Sequence, residues 1–358
     1  MIEVIHIITT ICRGGAENQL LTLAKEQVAS GRKVSIIYLK GKPELLNDFT
    51  IFGIRVYSFL ANQNFLVQTF MLNKFLRKRR LIVHAHLPRA ELIAALVIGS
   101  NFLVTSKHNS ERFFPSGPKL VSRSLARYVY KKSTECVFIS NAVLKYLSNI
   151  REAPLTRKNN VVYYGISRED KLNNYFELKD AVINFGTVAR IENQKDFPTL
   201  IKAFSTLLKS NNDARLIIVG DGSQKNFIKE MTVKYECFDK VDWVGRVKDV
   251  SSVMKNIDVF ILASKYEGFG LVLLEAMEIG IPIIAADNSS IPEVLGKSYE
   301  GLFPTGNSFA LAQKMREVDS INFRRKLVDG YLDRLNDFNS VKMRKNIDGV
   351  YHKLDKFH

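Results

Sequence analysis

The sequence predicts an α/β protein with two doubly wound parallel-sheet domains. At 358 residues the chain is long enough for two domains, and its 46% hydrophobic content suits a protein with two buried cores. Short apolar runs alternate with longer segments of helical spacing, first in one half of the chain and again in the other. This alternation is typical of parallel sheets whose strands are connected by helices.

The apolar runs define the predicted elements in order. The first half contains strand candidates at Val4–Thr9, Lys33–Leu39, Leu81–His86, Phe102–Lys107, Cys136–Ser140 and Val161–Tyr164. The second half contains them at Asn184–Ala189, Arg215–Val219, Val241–Val244, Val259–Ala263 and Pro282–Ala286. The polar stretch Ser167–Asp180 is the predicted linker, so the predicted domains are residues 1–170 and 171–340. Val341–Phe357 is predicted to be a helix.

Composition narrows the class of protein. No apolar run reaches the ~18 residues that span a bilayer, and Leu92–Thr105 is predicted to be a core helix and strand. The N-terminus enters a strand without a basic segment, so we expect no signal peptide. Cys12, Cys136 and Cys237 form no C-x-x-C pair. We therefore expect neither a disulfide framework nor structural zinc. The expected compartment is a reducing cytoplasm.

Charge is concentrated in the first half. Residues 1–165 carry 24 Lys and Arg against 9 Asp and Glu, a net charge of +15, whereas residues 166–358 carry 28 against 27, a net charge of +1. A basic half suggests an anionic partner, either nucleic acid or an acidic membrane.

Two basic segments, residues 72–81 and 119–132, alternate cations with apolar residues and are predicted to be amphipathic helices that can lie on lipid headgroups. Solvated helix faces are the alternative interpretation. No zinc-finger, helix-turn-helix or RNP signature accompanies the charge, so no nucleic-acid partner is expected. The predicted membrane-facing residues are Lys74, Arg77, Lys78, Arg79, Arg80, Arg123 and Arg127.

The most informative segment is Ser264–Pro282. It follows an apolar strand, contains Gly268 and Gly270, and then opens a predicted helix. The N-terminus of a helix favours anions, because its first N–H groups are unpaired and its dipole is positive there. Glu267 and Glu275, eight positions apart, are better suited to accepting hydrogen bonds from hydroxyl groups, such as those of a sugar and a ribose.

Other distinctive residues also follow strands, where open parallel sheets bind ligands. Gly14 and Gly15 follow the first strand, and paired glycines permit close approach of the backbone to a ligand. His84 and His86 close another strand, and alternation places their rings on one face. We expect these residues and those of the second half to converge on one cleft between the two sheets.

The segment Ser264–Pro282 resembles the Glu-x7-Glu signature of retaining glycosyltransferases of family 4, which have the GT-B fold. Gly14–Glu17 resembles the Gly-Gly-x-Glu entry of that family, and Gly186–Phe197 resembles its second phosphate-binding string. The resemblance extends from about Val4 to Pro304, and it implies that the final predicted helix, Val341–Phe357, packs back onto the first domain. It implies a metal-independent hexosyltransferase that uses a nucleoside diphosphate-sugar, and the absence of any Asp-x-Asp fits this reading.

The resemblance also implies roles for individual residues. Arg190 and Lys195 would hold the diphosphate, Glu267 the sugar hydroxyls and Glu275 the ribose. His108 would contact the donor sugar, with His86 and Glu17 on the acceptor side. The remaining donor-binding positions are Gly14, Gly15, Arg246, Val247, Gly268, Phe269, Gly270 and Leu271.

The expected function is retaining transfer of a hexose to a lipid-linked or oligosaccharide acceptor in bacterial surface-polysaccharide synthesis. No cofactor is expected, and the expected location is the inner face of the cell membrane. Two alternatives are a GT-B sugar-nucleotide 2-epimerase and a catalytically silent sugar-nucleotide-binding module. A zinc site at His84, His86 and His108 is a further alternative, although no carboxylate or cysteine ligand accompanies these histidines.

Overall fold

The structure, a computed structural model, describes residues 2–167, 184–247 and 249–355. The chain separates into two compact units. Unit 1 comprises Met1–Ser167 with Phe338–His358, and unit 2 comprises Arg168–Asp337. The predicted linker therefore begins at the boundary, and its residues after Ser167 lie outside the described residues.

Unit 1 contains a parallel sheet in the order β3-β2-β1-β4-β5-β6-β7. The central strands are buried along their whole length, because helices cover both faces of the sheet. In the described residues the strands are β1 Val4–Ile8, β2 Val34–Tyr38, β3 Arg55–Tyr57, β4 Ile82–His86, β5 Phe102–Lys107, β6 Glu135–Phe138 and β7 Asn159–Val161.

Two helical layers enclose this sheet. Helices α3 (Phe65–Leu76), α4 (Pro88–Val97) and α5 (Lys119–Lys132) share one apolar core with one face. Helices α1 (Gly15–Ala29) and α2 (Leu46–Thr50) share the core of the opposite face. Helix α6 (Asn141–Asn149) follows β6, and the Ser140 side chain caps it by accepting from the N–H of Val143.

The last helix, α14 (Ser340–Asp355), packs on α1 within unit 1. Arg32, nearly fully buried, forms an ion pair with Asp348 at 3.2 Å. The Ser340 hydroxyl donates to Glu26 at 2.6 Å, and Gln27 donates to the Tyr351 hydroxyl at 3.5 Å. The final predicted helix thus forms between Ser340 and Asp355 and completes the packing of the first domain.

Unit 2 contains a second parallel sheet in the order β10-β9-β8-β11-β12-β13. Its described strands are β8 Asn184–Val188, β9 Arg215–Val219, β10 Val241–Gly245, β11 Val259–Leu262, β12 Ile283–Ala286 and β13 Leu302–Phe303. Its described helices are α7 Phe197–Leu208, α8 Lys225–Lys234, α9 Val250–Met254, α10 Leu271–Ile279, α11 Ile291–Leu295, α12 Ser308–Glu317 and α13 Ile321–Leu335.

Three strands at sheet edges differ from the sequence prediction. β3 and β13 were not predicted, and β7 lies at Asn159–Val161 where Val161–Tyr164 was predicted. Each has only one neighbouring strand, so its sequence does not carry the continuous apolar run that marks a central strand. Among the described residues, no helix combines the length and apolar character that a membrane span requires.

Candidate active site

The two sheets share one topology, and it locates a candidate site in each unit. In both, the first strand lies between the second and the fourth, giving the order 3-2-1-4-5-6, to which unit 1 adds a seventh strand at the edge. The chain leaves the first and fourth strands in opposite directions, which opens a crevice at their carboxyl ends. This crevice lies beyond β1 and β4 in unit 1, and beyond β8 and β11 in unit 2.

In unit 2, the crevice brings together Lys195 from the loop after β8 and Glu267 from the loop after β11. The Lys195 ammonium forms an ion pair with a Glu267 carboxylate oxygen at 2.6 Å, and both side chains are largely buried. The Ser264 hydroxyl donates to the same oxygen at 2.6 Å. Two residues predicted to contact different parts of one ligand therefore contact each other in the structure.

Hydrogen bonds fix the backbone around Glu267. Its N–H donates to the Ser289 hydroxyl at 2.7 Å, and its carbonyl accepts from Ser289 and Ser290. The loop after β8 is tied to this segment, because the Gln194 side chain donates to the Tyr266 carbonyl at 2.8 Å. The two loops therefore form one connected surface. These serine contacts were not predicted from the sequence. Ser289 has a left-handed backbone conformation with φ of 44°, which only the structure shows.

Two glycines after β9 permit close packing on the loop that carries Arg190. A Cβ on Gly220 would lie 2.0 Å from the Ala189 carbonyl oxygen, and one on Gly222 would lie 2.4 Å from the Ile191 carbonyl oxygen. These are backbone atoms that cannot move aside. Arg190 itself is exposed, and its side chain forms no hydrogen bond or ion pair with any described residue. An exposed guanidinium is accessible to an anionic ligand.

Helix α10 begins directly after the Glu267 loop. Gly270 is its N-cap, with a φ of 87° that favours glycine, and no side chain caps the helix there. Leu271 is the first helical residue, Phe269 is buried, and Gly268 lies between Phe269 and Glu267. An uncapped helix N-terminus beside Lys195 is a favourable place for a phosphate.

Glu275 lies one turn into α10 and is half-buried. Burial, with a smaller contribution from Glu278, raises the pKa of the Glu275 carboxyl to about 7. Its carboxyl forms no hydrogen bond with any described residue, so it can accept hydrogen bonds from hydroxyl groups. Arg246, exposed, and Val247, partly buried, follow the edge strand β10 rather than the crevice strands.

In unit 1, the loop after β1 ends at Gly14, and Gly15 and Glu17 lie in the first turn of α1. A Glu17 carboxylate oxygen accepts from the Thr10 hydroxyl at 2.6 Å, which holds the side chain over the loop. A Cβ on Gly14 would lie 2.6 Å from the other carboxylate oxygen. Glycine at this position therefore makes room for the carboxylate. Gly15, exposed, is the first residue of α1.

The predicted histidines are buried rather than exposed. Nε2 of His108 lies 3.0 Å from Nδ1 of His86, and Nδ1 of His108 contacts the Tyr164 hydroxyl. Nε2 of His86 lies 3.0 Å from Nδ1 of His6, a residue that the sequence analysis did not single out. Burial lowers the pKa of His108 to about 3 and the pKa of His6 to about 4. These rings are therefore neutral at physiological pH.

The structure also bears on the zinc alternative. Ring nitrogens of His6, His84 and His86 lie within 4.8 Å of one another, whereas the predicted set contained His108 in place of His6. His84 uses Nδ1 toward the Tyr351 hydroxyl at 2.6 Å and Nε2 toward Ser106 at 2.7 Å. Since His6 and His86 are also hydrogen-bonded through both nitrogens, an ion would have to break several of these bonds.

A cavity of about 290 Å³ lies beside His108 within unit 1. The ion pair between Lys107 and the buried Glu91 forms part of its wall, together with apolar residues such as Phe113. Burial raises the pKa of Glu91 above its usual value, and Lys107 opposes this increase. The sequence analysis did not identify Glu91, because its partner lies on a different element of the fold.

One part of the membrane prediction requires correction. Helix α3 ends at Leu76, so the cationic segment Arg77–Arg80 is not part of an amphipathic helix. The chain turns there, with Lys78 at φ of 64°. Lys74 and Arg127 are exposed on α3 and α5. Arg123 is partly buried and donates to the Ile150 carbonyl at 3.3 Å, so its charge points toward the protein.

Two family models match the chain, one after the other. The model described as "Glycosyltransferase Family 4" matches residues 13–170, and the model described as "Glycosyl transferases group 1" matches residues 168–328. Among solved structures, Anabaena HepE in complex with UDP and glucose superposes with a TM-score of 0.83 at 18% identity, covering 99% of this chain and 100% of that one. The fold of the chain is therefore GT-B.

The curated relatives that match the chain include a glycolipid synthase and a glycosyltransferase. An alpha-monoglucosyldiacylglycerol synthase from Streptococcus pneumoniae is 26% identical over 206 residues, covering 52% of this chain and 47% of that protein. A Campylobacter jejuni α-1,4-N-acetyl-D-galactosaminyltransferase, named for an undecaprenol-linked substrate, is 25% identical over 353 residues, covering 94% and 95%. The match spans 47%, 31% and 47% of the length of the first three curated relatives. Each half of the chain therefore resembles a glycosyltransferase domain, and the whole chain has the GT-B fold.

Proposed function

We propose that the protein transfers a hexose, with retention of configuration, from a nucleoside diphosphate-sugar to a lipid-linked glycan. The observation that carries this proposal is the Lys195–Glu267 ion pair, at the crevice of unit 2 and beside the uncapped N-terminus of α10. This arrangement offers positive charge for a diphosphate and a carboxylate for sugar hydroxyls. The relatives support it, since their names describe glycolipid and undecaprenol-linked glycan synthesis.

In the proposed reaction, the diphosphate binds Lys195, Arg190 and the first N–H groups of α10. Its charge competes with Glu267 for the Lys195 ammonium, which leaves the carboxylate to accept hydrogen bonds from the sugar. The bond between the anomeric carbon and the phosphate oxygen breaks as the acceptor oxygen attacks the same face. The acceptor proton passes to the departing phosphate. Preorganised cations stabilise the negative charge that develops there, so the reaction requires no metal ion.

A donor panel tests this proposal. The purified protein is incubated with UDP-, ADP- and GDP-sugars, and released nucleoside diphosphate, epimerised donor and bound donor are each measured. Transfer or hydrolysis supports a glycosyltransferase and should persist in EDTA. Epimerised donor alone would identify a 2-epimerase, and binding without turnover would identify a silent binding module. Activity that EDTA abolishes and a divalent ion restores would contradict the metal-free mechanism.

The acceptor side of the proposal includes an anionic membrane surface. Leu66 and Phe70 on the outer face of α3 are 78% and 70% exposed, and Leu120 at the start of α5 is 73% exposed. Helices α3, α4 and α5 cover the same face of the sheet, so these apolar residues belong to one side of unit 1. Exposed cations at residues 74–80 and 127 flank them, as expected for contact with acidic headgroups.

Vesicle flotation tests this surface. The wild-type protein should float with phosphatidylglycerol vesicles at low salt and dissociate as salt rises, because each basic residue contributes ~1 kcal/mol within a Debye length. Replacing Arg77–Arg80 by serine, or Leu66 and Phe70 by serine, should weaken flotation without changing donor hydrolysis. Phe309→Ser, which alters an exposed aromatic residue of unit 2, is the matched control. A wild-type protein that ignores these vesicles would point to a soluble acceptor.

A further inference from the structure

A continuous series of hydrogen bonds crosses the interior of unit 1 between the sheet and helices α1 and α14. It begins at the Tyr164 hydroxyl, which contacts Nδ1 of His108. It continues from His108 to His86 and from His86 to His6, each at 3.0 Å, and ends where Nε2 of His6 lies 2.9 Å from the Gln27 side-chain oxygen. We call this series the histidine chain.

A second branch begins at Gln27. Its side-chain nitrogen donates to the Tyr351 hydroxyl of α14 at 3.5 Å. The Tyr351 hydroxyl lies 2.6 Å from Nδ1 of His84, and Nε2 of His84 lies 2.7 Å from the Ser106 hydroxyl. Gln27 is therefore the junction between α14 and the two histidines, His6 and His86, that lead to His108.

The junction determines the direction of every bond. A neutral imidazole has one N–H donor and one acceptor nitrogen. Because the Gln27 oxygen can only accept, the hydrogen of His6 is on Nε2, and its Nδ1 must accept from His86. The same reasoning places the hydrogen on Nε2 of His86 and of His108. In the other branch, Gln27 donates to Tyr351, Tyr351 donates to His84, and His84 also carries its hydrogen on Nε2.

We propose that the histidine chain sets the polarity of His108, with Gln27 and Tyr351 as positioning residues. His108 then offers Nδ1 as an acceptor and has no N–H to donate to a ligand. A hydroxyl that engages His108 must donate its hydrogen to Nδ1, as Tyr164 does. The relevance of this polarity to donor or acceptor recognition rests on the proposed function, but the polarity itself does not.

Burial makes it difficult to reverse the donor-to-acceptor direction of these hydrogen bonds at a single residue. His6, His84 and His86 are at most 2% exposed, so a ring in the opposite tautomer would place two N–H groups against each other without water to separate them. Burial also lowers the pKa of all four histidines. The charged groups that act on the histidine chain are Arg32 near His6, Lys107 near His108 and Glu17 near Tyr164.

Nuclear magnetic resonance of the ring nitrogens tests the proposal in the full-length protein with ¹⁵N-labelled histidine. The chain has six histidines. Four should be neutral Nε2–H tautomers and should not titrate between pH 8 and pH 5.5. Nδ1–H tautomers at His6, His86 and His108 would overturn the proposal, as would titration of these residues near pH 6.5.

A pair of matched variants tests the role of the junction. Gln27→Met removes the acceptor and should leave His6, His86 and His108 without one defined tautomer. Gln68→Met removes a second fully buried glutamine of unit 1, which donates to the carbonyls of Leu39 and Leu60, and should leave all four histidine signals unchanged. Unchanged signals in Gln27→Met would overturn the proposal.

The wild-type spectrum decides the polarity even where a variant does not fold. It also separates this proposal from the proposed function, because the tautomers are read without any substrate. A protein with Nε2–H histidines and no transferase activity would contradict the proposed function alone. A protein with transferase activity and Nδ1–H histidines would contradict the polarity of His108 alone.

Discussion

The two units use the same strand order but build opposite environments at their crevices. In unit 2, the crevice residues are charged: Lys195 and Glu267 form an ion pair, and Arg190 is exposed. In unit 1, His86 and His108 are buried, neutral and hydrogen-bonded through both nitrogens. In the crevice of unit 2, a charged ligand can replace one member of the ion pair, whereas the histidines of unit 1 are held in a single arrangement.

The difference shows how one topology can serve two tasks. An anionic ligand can replace Glu267 at Lys195, because the new charge compensates for the lost one. A neutral imidazole gains no such compensation, and His108 can exchange the Tyr164 hydroxyl only for another hydroxyl donor. Unit 1 therefore contributes fixed geometry, and unit 2 contributes charge. The four predictions below test this contrast, starting with the largest expected effect.

The largest effect should be acid destabilisation confined to unit 1. The pKa of His6 is about 4 in the folded protein and about 6.5 when unfolded, so the unfolded state binds more protons between these values. The free energy of unfolding keeps its full value above pH 6.5 and decreases as the pH falls. Protonation of His6 alone lowers it by about 3 kcal/mol at pH 4. His84, His86 and His108 have lowered pKa values and act in the same direction.

Hydrogen exchange followed by mass spectrometry can measure the two units separately. Peptides from β1, β4 and β5 should lose protection at a higher pH than peptides from β8 and β11. The fluorescence of Trp243, the single tryptophan, reports unit 2 and should change only at lower pH. Simultaneous loss of protection in both units would show that the histidine chain does not make unit 1 more sensitive to acid.

The next largest effect should come from removing charge in unit 2. Lys195→Ala should lower turnover by ~10²-fold or more, because a preorganised cation no longer stabilises the departing diphosphate. Lys202→Ala is the matched control, since Lys202 is an exposed lysine on the neighbouring helix α7. Steady-state kinetics with a donor identified by the panel measure both variants. Equal turnover in the two variants would remove Lys195 from the proposed mechanism.

The third prediction separates the two glutamates of unit 2. Glu267→Ala should impair turnover but leave nucleoside diphosphate binding at least as tight as in the wild type, because Lys195 loses its competing carboxylate. Glu275→Ala should weaken nucleoside diphosphate binding by roughly tenfold or more, the loss expected when hydrogen bonds to a charged group disappear. Calorimetric titration with the diphosphate alone compares them. Equal losses of affinity would contradict the division between sugar and ribose.

The smallest effect concerns pH. Because the pKa of Glu275 is about 7, the ionised fraction of its carboxyl rises between pH 6 and pH 8, and the ionised form is the better acceptor. Donor affinity should therefore rise by up to about tenfold over this range. A nucleoside diphosphate-sugar is the suitable ligand, because its diphosphate does not titrate there. Glu275→Gln should abolish the trend, and a trend that persists in this variant would assign it to another group.

The architecture was largely predictable because buried parallel strands have uninterrupted apolar runs in the sequence. The strands β1, β4, β5, β8, β9 and β11 lie within the predicted segments. The edge strand β3 consists of Arg55, Val56 and Tyr57, which carry no such signal. The polar residues Asn159 and Asn160 of β7 place that edge strand earlier than the apolar residues suggested.

The candidate site was predictable as a set of positions but not as a set of contacts. Loops after strands indicated Lys195 and Glu267, yet nothing in the sequence indicates that residues 72 positions apart form an ion pair. His6 was missed because it lies within the apolar run of β1, where a buried histidine has the pattern of a core residue. Its partners Gln27 and His86 are separated from it by 21 and 80 positions.

The position of α14 has a consequence for the order in which the protein acquires its structure. The seven strands described in unit 1 precede residue 162, but the helix that supplies Asp348 to Arg32 and Tyr351 to His84 follows the whole of unit 2. During translation, the first domain therefore leaves the ribosome with Arg32 lacking its carboxylate partners on α14 and with an uncovered face. It reaches its final packing only after the second domain has been synthesised, so the domain that is made first is the last to be finished.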